Sequence, residues 1–99
     1  MKHKIDSKTL TLYLEGEVNS GNAEGIEQEI DSLLEGLSLE KVIVDLGDLH
    51  YMSSAGLRII VRLKQRYDDV SLIRVPNDVY EVLAMVGFPQ LMPISKLGE

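Results

Sequence analysis

The sequence contains no cysteine, which excludes disulfide bonds and thiolate metal sites and is compatible with a reducing cytoplasm. Only two histidines are present, His3 and His50, and neither has a companion at the spacing typical of metal ligands. We therefore expect no metal ion and no other cofactor.

Long apolar runs are missing too, since no segment approaches the ~20 apolar residues that a membrane-spanning helix needs. Residues 1–4 are not followed by the apolar core of a signal peptide, so we expect a cytoplasmic protein without direct membrane insertion.

Positive charge is also scarce. The chain has 10 lysine and arginine residues against 16 aspartate and glutamate residues, a formal net charge of −6. Such a surface repels the phosphates of nucleic acid, so a protein is the expected partner and nucleic acid is not. No linker, repeat or low-complexity tract divides the 99 residues. Because this length is typical of one small domain, we expect a single domain over residues 1–99.

Hydrophobic periodicity predicts strands that alternate with helices. Strands are predicted at residues 2–5, 9–15, 42–46, 70–75 and, at a sheet edge, 89–94. Helices are predicted at residues 22–35, 57–67 and 78–86, with residues 16–22 as a loop. The apolar strand at 42–46 is expected to be covered on both faces. Four residues of the last helix are expected to face inward: Val79, Val82, Leu83 and Val86.

This order of elements predicts a mixed α/β fold. We expect a β-sheet of four to five strands with an antiparallel N-terminal pair and a parallel portion built by crossovers. Three or more helices are expected to pack against this sheet.

Two serines lie between the strand at 42–46 and the helix that follows it. Helical spacing begins at Leu57, so Ser53 or Ser54 is the expected N-cap, with its hydroxyl next to the free amides of the first turn. A serine at such a junction is most often only a cap. A phosphate there would nevertheless lie where backbone N–H groups and the helix dipole favour negative charge. A phosphorylation switch is therefore the functional alternative.

A hydrolase with Ser54 as nucleophile is the enzymatic alternative, because Ser54, Ala55 and Gly56 match half of the Gly-x-Ser-x-Gly elbow. Met52 occupies the position of the first glycine, where the strained backbone of an elbow requires a small residue. His50 lies only four positions before Ser54, whereas triad partners normally arrive from other elements. We therefore expect no catalytic residues and no enzymatic activity.

Residues 48–57, with the sequence DLHYMSSAGL, resemble the signature loop of the STAS domain, the fold of bacterial anti-sigma factor antagonists. In that family the loop commonly reads Asp-Ser-Ser-Gly or Asp-Ser-Thr-Gly before a leucine, and the serine after the aspartate accepts phosphate. Alignment on Gly56 puts Ser54 at the acceptor position. Ser53 then replaces the aspartate, and Ala55 replaces the second hydroxyl residue.

A second resemblance covers residues 14–19, LEGEVN, which are similar to the family's early Gly-Glu-Leu-Asp turn, with Asn19 where aspartate is common. On the family's pattern, residues 16–21 lie near the acceptor serine as part of a docking surface. The expected partner-binding residues are Asn19, Ser20, Gly21, Met52, Ser53, Ser54, Ala55, Gly56, Arg58 and Arg62. Ser54 is the expected phosphorylation site, with Ser53 as the second candidate.

The resemblance implies an anti-sigma factor antagonist. In that family the unphosphorylated domain binds an anti-sigma factor that is also a serine kinase of the GHKL type, and this releases a sigma factor. The kinase phosphorylates the antagonist and switches it off, and a PPM-type phosphatase reverses the modification. The alternative is a STAS domain that is never phosphorylated and serves as a scaffold in a signalling assembly or a lipid-trafficking ABC transporter.

Two features of the predicted helix after the serines have two interpretations each. Glycine stabilises a helix less than alanine does, by about 1 kcal/mol, so its presence at position 56 needs a reason. Either a partner approaches Gly56 closely, or Gly56 packs against the sheet. A basic stripe lies at helical spacing on the same helix: Arg58, Arg62, Gln65 and Arg66. This stripe either solubilises the helix or steers an acidic partner toward the serines. The acidic residues at 24–35 are expected to form a solvated face.

Overall fold

The computed structural model describes all residues from 1 to 99. Its strands are β1 (His3–Asp6), β2 (Thr9–Tyr13), β3 (Gly16–Val18), β4 (Lys41–Asp45), β5 (Leu49–Met52), β6 (Val70–Val75) and β7 (Ile94–Lys96). Its helices are α1 (Ala23–Leu34), α2 (Ser54–Arg66) and α3 (Asn77–Met85), and a short 3-10 helix covers Phe88–Gln90. None of these helices has both the length and the apolar composition that crossing a lipid bilayer requires.

Five strands form one mixed sheet in the order β1-β2-β4-β6-β7. β1 and β2 are antiparallel, and their turn places Ser7 at a φ of 55°. The other neighbours, β2–β4, β4–β6 and β6–β7, are parallel. Parallel neighbours need crossover connections, and α1, α2 and α3 each lie in one of them along the chain. The predicted mixed α/β sheet with an antiparallel N-terminal pair is confirmed.

Residue alternation decides which face of this sheet carries the core. Leu10 and Leu12 of β2 are completely buried. Their register partners in β4, Val42 and Val44, are completely buried as well. On the opposite face of β4, Ile43 is only half-buried. The expectation that the strand at 42–46 is covered on both faces is therefore wrong, because the main core lies on one side of the sheet.

Two segments that were predicted as loops form a second, two-stranded sheet. β3 lies in the predicted loop at 16–22, and β5 lies in the loop between the buried strand and the two serines. They pair in parallel, with Val18 opposite Met52. Each strand has only three or four residues, too few to show a period, so the pairing depends on a long-range contact that local patterns do not contain.

The C-terminal segment differs from its prediction in detail. Phe88–Gln90 is a 3-10 helix, and the last strand is Ile94–Lys96 rather than residues 89–94. Pro93 precedes the strand, and its carbonyl oxygen accepts a hydrogen bond of 3.0 Å from the Leu72 N–H. Proline has no N–H for a ladder, so the strand begins after it. The predicted edge position is confirmed, since β7 is the last strand of the sheet.

Helix α3 is less buried than its sequence suggests. Val79 and Leu83 are buried as predicted, but Val82 and Val86 are exposed, and the expectation that they face inward is wrong. The helix has only nine residues, so two buried side chains at positions i and i+4, Val79 and Leu83, are enough to pack it against the core. Tyr80 is partly buried against the core, whereas Met85 and Val86 are exposed together with Val82.

Candidate docking surface at the start of helix α2

Ser53 is the N-cap of α2, which resolves the choice between the two serines. Its backbone is extended, with φ −85° and ψ 178°, and its hydroxyl oxygen accepts a hydrogen bond of 3.2 Å from the Ala55 N–H. Its own N–H donates to the Val18 carbonyl oxygen at 2.9 Å. Ser53 is thus held through its backbone and its side chain, and the cap satisfies one of the free amides of the first turn.

Ser54 is the first residue of α2, and its side chain is exposed. It takes no part in the cap, because the Ser53 hydroxyl already fills that role. The capping residue and the predicted phosphate acceptor are therefore two different residues. A group attached to Ser54 would lie beside the N-terminus of the helix, where backbone N–H groups and the dipole favour negative charge.

The early turn lies next to the two serines, as the resemblance implies. Pairing of β3 with β5 and the bond between Ser53 and Val18 bring the two segments together. The Asn19 side-chain oxygen accepts hydrogen bonds from the N–H groups of Gly21 and Asn22, at 2.9 and 3.1 Å. Asn19 thereby shapes this turn from within, as Asx side chains commonly do. Ser20 and Gly21 form its exposed tip.

Gly56 is buried, and the structure decides between its two interpretations. An added Cβ would lie 2.6 Å from the Met52 Cγ and 2.9 Å from the Val18 Cγ1. Gly56 therefore lets the first turn of α2 pack directly on β3 and β5, and it is not a place where a partner approaches. Met52 and Ala55 are buried too. Of the expected docking residues, these three are therefore mostly buried beneath the exposed ones.

The basic stripe of α2 is largely paired with the acidic residues of α1. Arg62 forms an ion pair with Glu27, and Arg66 forms one with Asp31 at 3.1 Å. The acidic side of α1 is therefore not simply a solvated face. Arg58 takes part in none of the ion pairs and lies nearest the serines in sequence, so any steering by the stripe rests mainly on this residue.

An open cavity of about 360 Å³ lies between the starts of α1 and α2. Its lining residues are Ser20, Ala23, Glu24, Glu27, Ala55, Arg58 and Arg62. The cavity therefore combines the tip of the early turn with the first turns of α2. The structure brings Ser20, Arg58 and Arg62 around one depression, whereas Asn19 and Ser53 are engaged in local hydrogen bonds beside it.

An ion pair between the buried Asp45 and the half-exposed Arg74 supports the turn that leads to β5, and sequence reasoning missed its role. Asp45 is buried, and its carboxylate accepts from Arg74 Nη1 at 3.2 and 3.3 Å and from the Gly47 N–H at 2.9 Å. Arg74 has a φ of 53°, and a Cβ at Gly47 would lie 2.5 Å from the guanidinium carbon. The available signal was that Asp45 and Arg74 are charged residues within two largely apolar segments, residues 42–46 and 70–75.

Comparison with known proteins gives the family. The family model described as the STAS domain matches residues 1–97. This chain belongs to the STAS domain family. Within that family it is similar to BtrV of Bordetella bronchiseptica, whose name assigns it the role of anti-sigma factor antagonist. The two are 36% identical over 100 residues, which cover 97% of this chain and 84% of BtrV.

Solved STAS structures share the same fold. The unphosphorylated form of the anti-sigma factor antagonist SpoIIAA matches with a TM-score of 0.80 and 17% identity, over 94% of this chain and 85% of that chain. A chain of the stressosome, described as a signal integration and transduction hub, matches with a TM-score of 0.71 and 13% identity, over 96% and 87%. At these identities, the likeness establishes the architecture of this STAS domain and does not by itself assign a role.

Proposed function

We propose that this STAS domain is an anti-sigma factor antagonist that binds an anti-sigma factor and so releases a sigma factor. The observation that carries the proposal is the exposed Ser54 hydroxyl, which lies at the start of α2 beside the tip of the early turn and is free of the capping role. The similarity to BtrV over nearly the whole chain supports the same role. In this proposal the domain is a ligand and a substrate, with no catalytic residues of its own.

Phosphorylation of Ser54 is the proposed off-switch. Ser53 remains the second candidate, but its hydroxyl is half-buried and accepts from the Ala55 N–H, so a kinase would have to break the cap to reach it. The proposed kinase is the anti-sigma factor itself, of the GHKL serine kinase type. A PPM-type phosphatase would restore the hydroxyl and with it the binding surface.

The size of the electrostatic effects explains why the switch acts on binding and not on folding. A phosphate adds about −1.5 to −2 charges and three acceptor oxygens. At a helix start a negative charge is stabilising by roughly 0.3–1 kcal/mol. Buried against a surface without a matching cation, the same group costs several kcal/mol. Since about 2.8 kcal/mol lowers affinity a hundredfold, the phosphate is sufficient to prevent docking while the domain stays folded.

The deciding experiment measures binding of a purified anti-sigma factor kinase from the same genome to five forms of the domain. Wild type and Ser54→Ala should bind with similar affinity, and stoichiometrically phosphorylated protein should bind at least a hundredfold more weakly. Ser54→Asp supplies only one charge, so it should have a smaller effect. Ser32→Ala is the matched control, because Ser32 is an exposed helical serine on α1.

Thermal unfolding of the phosphorylated form separates the switch from simple destabilisation. We expect the midpoint to be unchanged or slightly raised, because the new charge lies at the favourable end of α2. Unchanged binding after complete phosphorylation of Ser54 would contradict the proposal. Mass spectrometry that finds no phosphate on Ser54 in the native host, with and without stress, would favour the rival role of a permanent scaffold in a signalling assembly or an ABC transporter.

A further inference from the structure

Helix α3 carries an apolar stripe on its outer side. Val82, Met85 and Val86 are exposed by 41%, 84% and 52%, and positions i, i+3 and i+4 share one side of a helix. Tyr51 of β5 is exposed by 51% and lines the same cavity as Val82. Single exposed apolar residues are normal on protein surfaces, but a contiguous set marks an interaction site more often.

The stripe borders a groove of about 170 Å³. The groove is lined by His50, Tyr51, Met52, Leu57, Asp78, Val79, Val82 and Leu83. Met52, Val79 and Leu83 are buried and form its floor. Since an apolar cavity of about 150 Å³ holds a molecule of the size of benzene, the groove has room for one large apolar side chain.

The groove is continuous with the surface proposed for docking. Met52 and Leu57, which line it, directly flank residues 53–56 and therefore Ser54. A protein that covers Ser54 consequently lies next to the groove. The exposed groups around Ser54, such as Ser20 and Arg58, are small or polar. Binding energy in protein interfaces is concentrated in a few apolar or aromatic anchors that become fully buried, and the groove is the nearby place for such an anchor.

The charges around the groove indicate what kind of partner binds there. Asp78 is exposed and is the only acidic group that lines the groove, and no lysine or arginine lines it. The whole chain has a net charge of −6, so a second copy would bring an equally negative surface. A partner with a basic residue beside its apolar anchor fits both observations.

We propose that this groove is an anchor site for an amphipathic helix of the anti-sigma factor. One apolar side chain of that helix fills the groove, its neighbours along the helix cover Val82 and Met85, and a lysine or arginine faces Asp78. This is the helix-in-groove mode, in which apolar residues at helical spacing lie along a complementary stripe. The inference rests on the proposed function, and it names the second half of the same docking surface.

The test compares Val82→Ser with Ile5→Ser, using the purified anti-sigma factor kinase as the probe. Ile5 lies on edge strand β1, is exposed by 45% and does not line the groove, so it is a matched β-branched control. Val82→Ser should weaken binding at least tenfold, and Ile5→Ser should change it less than twofold. Asp78→Asn should weaken binding and reduce its dependence on salt.

A second measurement distinguishes the loss of contacts in the groove from unfolding of the Val82→Ser variant. Amide signals of the labelled wild-type domain should shift on binding around Val82 and Leu83 as well as around Ser54, and thermal unfolding should show that Val82→Ser is folded. If wild type binds but Val82→Ser binds equally well and the α3 amides do not shift, only the groove inference is overturned. If wild type binds no anti-sigma factor, the proposed function fails and the inference fails with it. A wild-type dimer that Val82→Ser dissociates would assign the groove to a second copy and overturn the proposal.

Discussion

Neighbouring serines have separate tasks at the start of α2. Ser53 accepts the hydrogen bond that caps the helix, while the Ser54 side chain is exposed. One residue can therefore change its chemistry without disturbing the helix, because the other keeps the first turn satisfied. This division is what makes a modification at Ser54 compatible with an intact fold.

Alanine substitutions test this division of roles. Ser53→Ala should lower the free energy of unfolding by about 1 kcal/mol, because the cap is lost and the Ala55 N–H is left without its partner. Ser54→Ala should stay within roughly 0.5 kcal/mol of wild type, as surface substitutions commonly do. Urea unfolding of both variants measures the difference. Equal losses for the two variants would show that Ser54 also contributes to the cap.

Gly56 offers a second test, with a matched control in α1. Gly56→Ala should destabilise the domain by about 1–3 kcal/mol, because the new methyl group overlaps Met52 and Val18. Gly25→Ala should stabilise it by up to about 1 kcal/mol, because a Cβ there meets nothing within 4 Å and alanine favours the helix. Chemical denaturation gives both values. A stable Gly56→Ala variant would mean that α2 can move away from β3 and β5.

Among the elements, the parallel pair β3–β5 joins the two halves of the candidate surface. β3 ends at Val18, just before the turn at residues 19–22, and β5 ends at Met52, just before Ser53, so one short ladder sets the distance between the segments. The turn before β5 is held in place by the pairing of Asp45 with Arg74 across Gly47. The two short strands β3 and β5 thus position the candidate surface, and the Asp45–Arg74 ion pair stabilises the turn before β5.

Replacement of Arg74 by glycine tests this support. Glycine relieves the strain of a positive φ, worth roughly 1 kcal/mol, but leaves the buried Asp45 carboxylate without its cation. We expect a net loss of about 1–3 kcal/mol in unfolding free energy, less than for a fully buried pair because Arg74 is half exposed.

The control for this variant is Ser7→Gly. Ser7 also has a positive φ, of 55°, and takes part in no ion pair, so its replacement should stabilise the domain by up to about 1 kcal/mol. Thermal or urea unfolding compares the two variants. Stabilisation by both would show that the Asp45–Arg74 pair contributes little.

For the molecule as a whole, charge is arranged unevenly. The chain is acidic, yet α2 carries arginines, and two of them are neutralised by carboxylates of α1. Exposed ion pairs of this kind are worth at most about 1 kcal/mol, so their larger effect is on the electrostatic field around the proposed docking surface. Arg58 is the cation of the stripe that remains outside these pairs.

Charge reversal tests whether this cation guides association. Arg58→Glu should lower several-fold, at low salt, the rate of association with an anti-sigma factor that brings an acidic patch to the start of α2, because electrostatic steering is a long-range effect on the encounter. Arg66→Glu is the matched control, since Arg66 is paired with Asp31 and lies two turns further along α2. Stopped-flow kinetics at two ionic strengths measure both. Equal rates for Arg58→Glu and wild type would refute steering.

Much of the fold and part of the site were predictable from local patterns. Hydrophobic patterns at residues 9–15 and 42–46 predicted the strands β2 and β4. The order of elements predicted the mixed sheet with its antiparallel N-terminal pair. The position of the serines at a helix start followed from the change of period at Leu57. Val82 and Val86 were misassigned because an apolar residue at helical spacing is compatible with the core and with an exposed binding stripe, and only packing distinguishes them.

By itself, the sequence determined the order of strands and helices, the acidic surface and the place of the two serines, because these depend on residues close together along the chain. Tertiary structure alone decided that Ser53 is the cap, that β3 pairs with β5, that Arg62 and Arg66 are paired and that α3 keeps an exposed apolar stripe. The strand pairing, the ion pairs and the exposed stripe depend on how segments far apart in sequence pack together, and no local period contains that geometry. Ser53 is held by its local bond to Ala55 and also by the distant carbonyl oxygen of Val18.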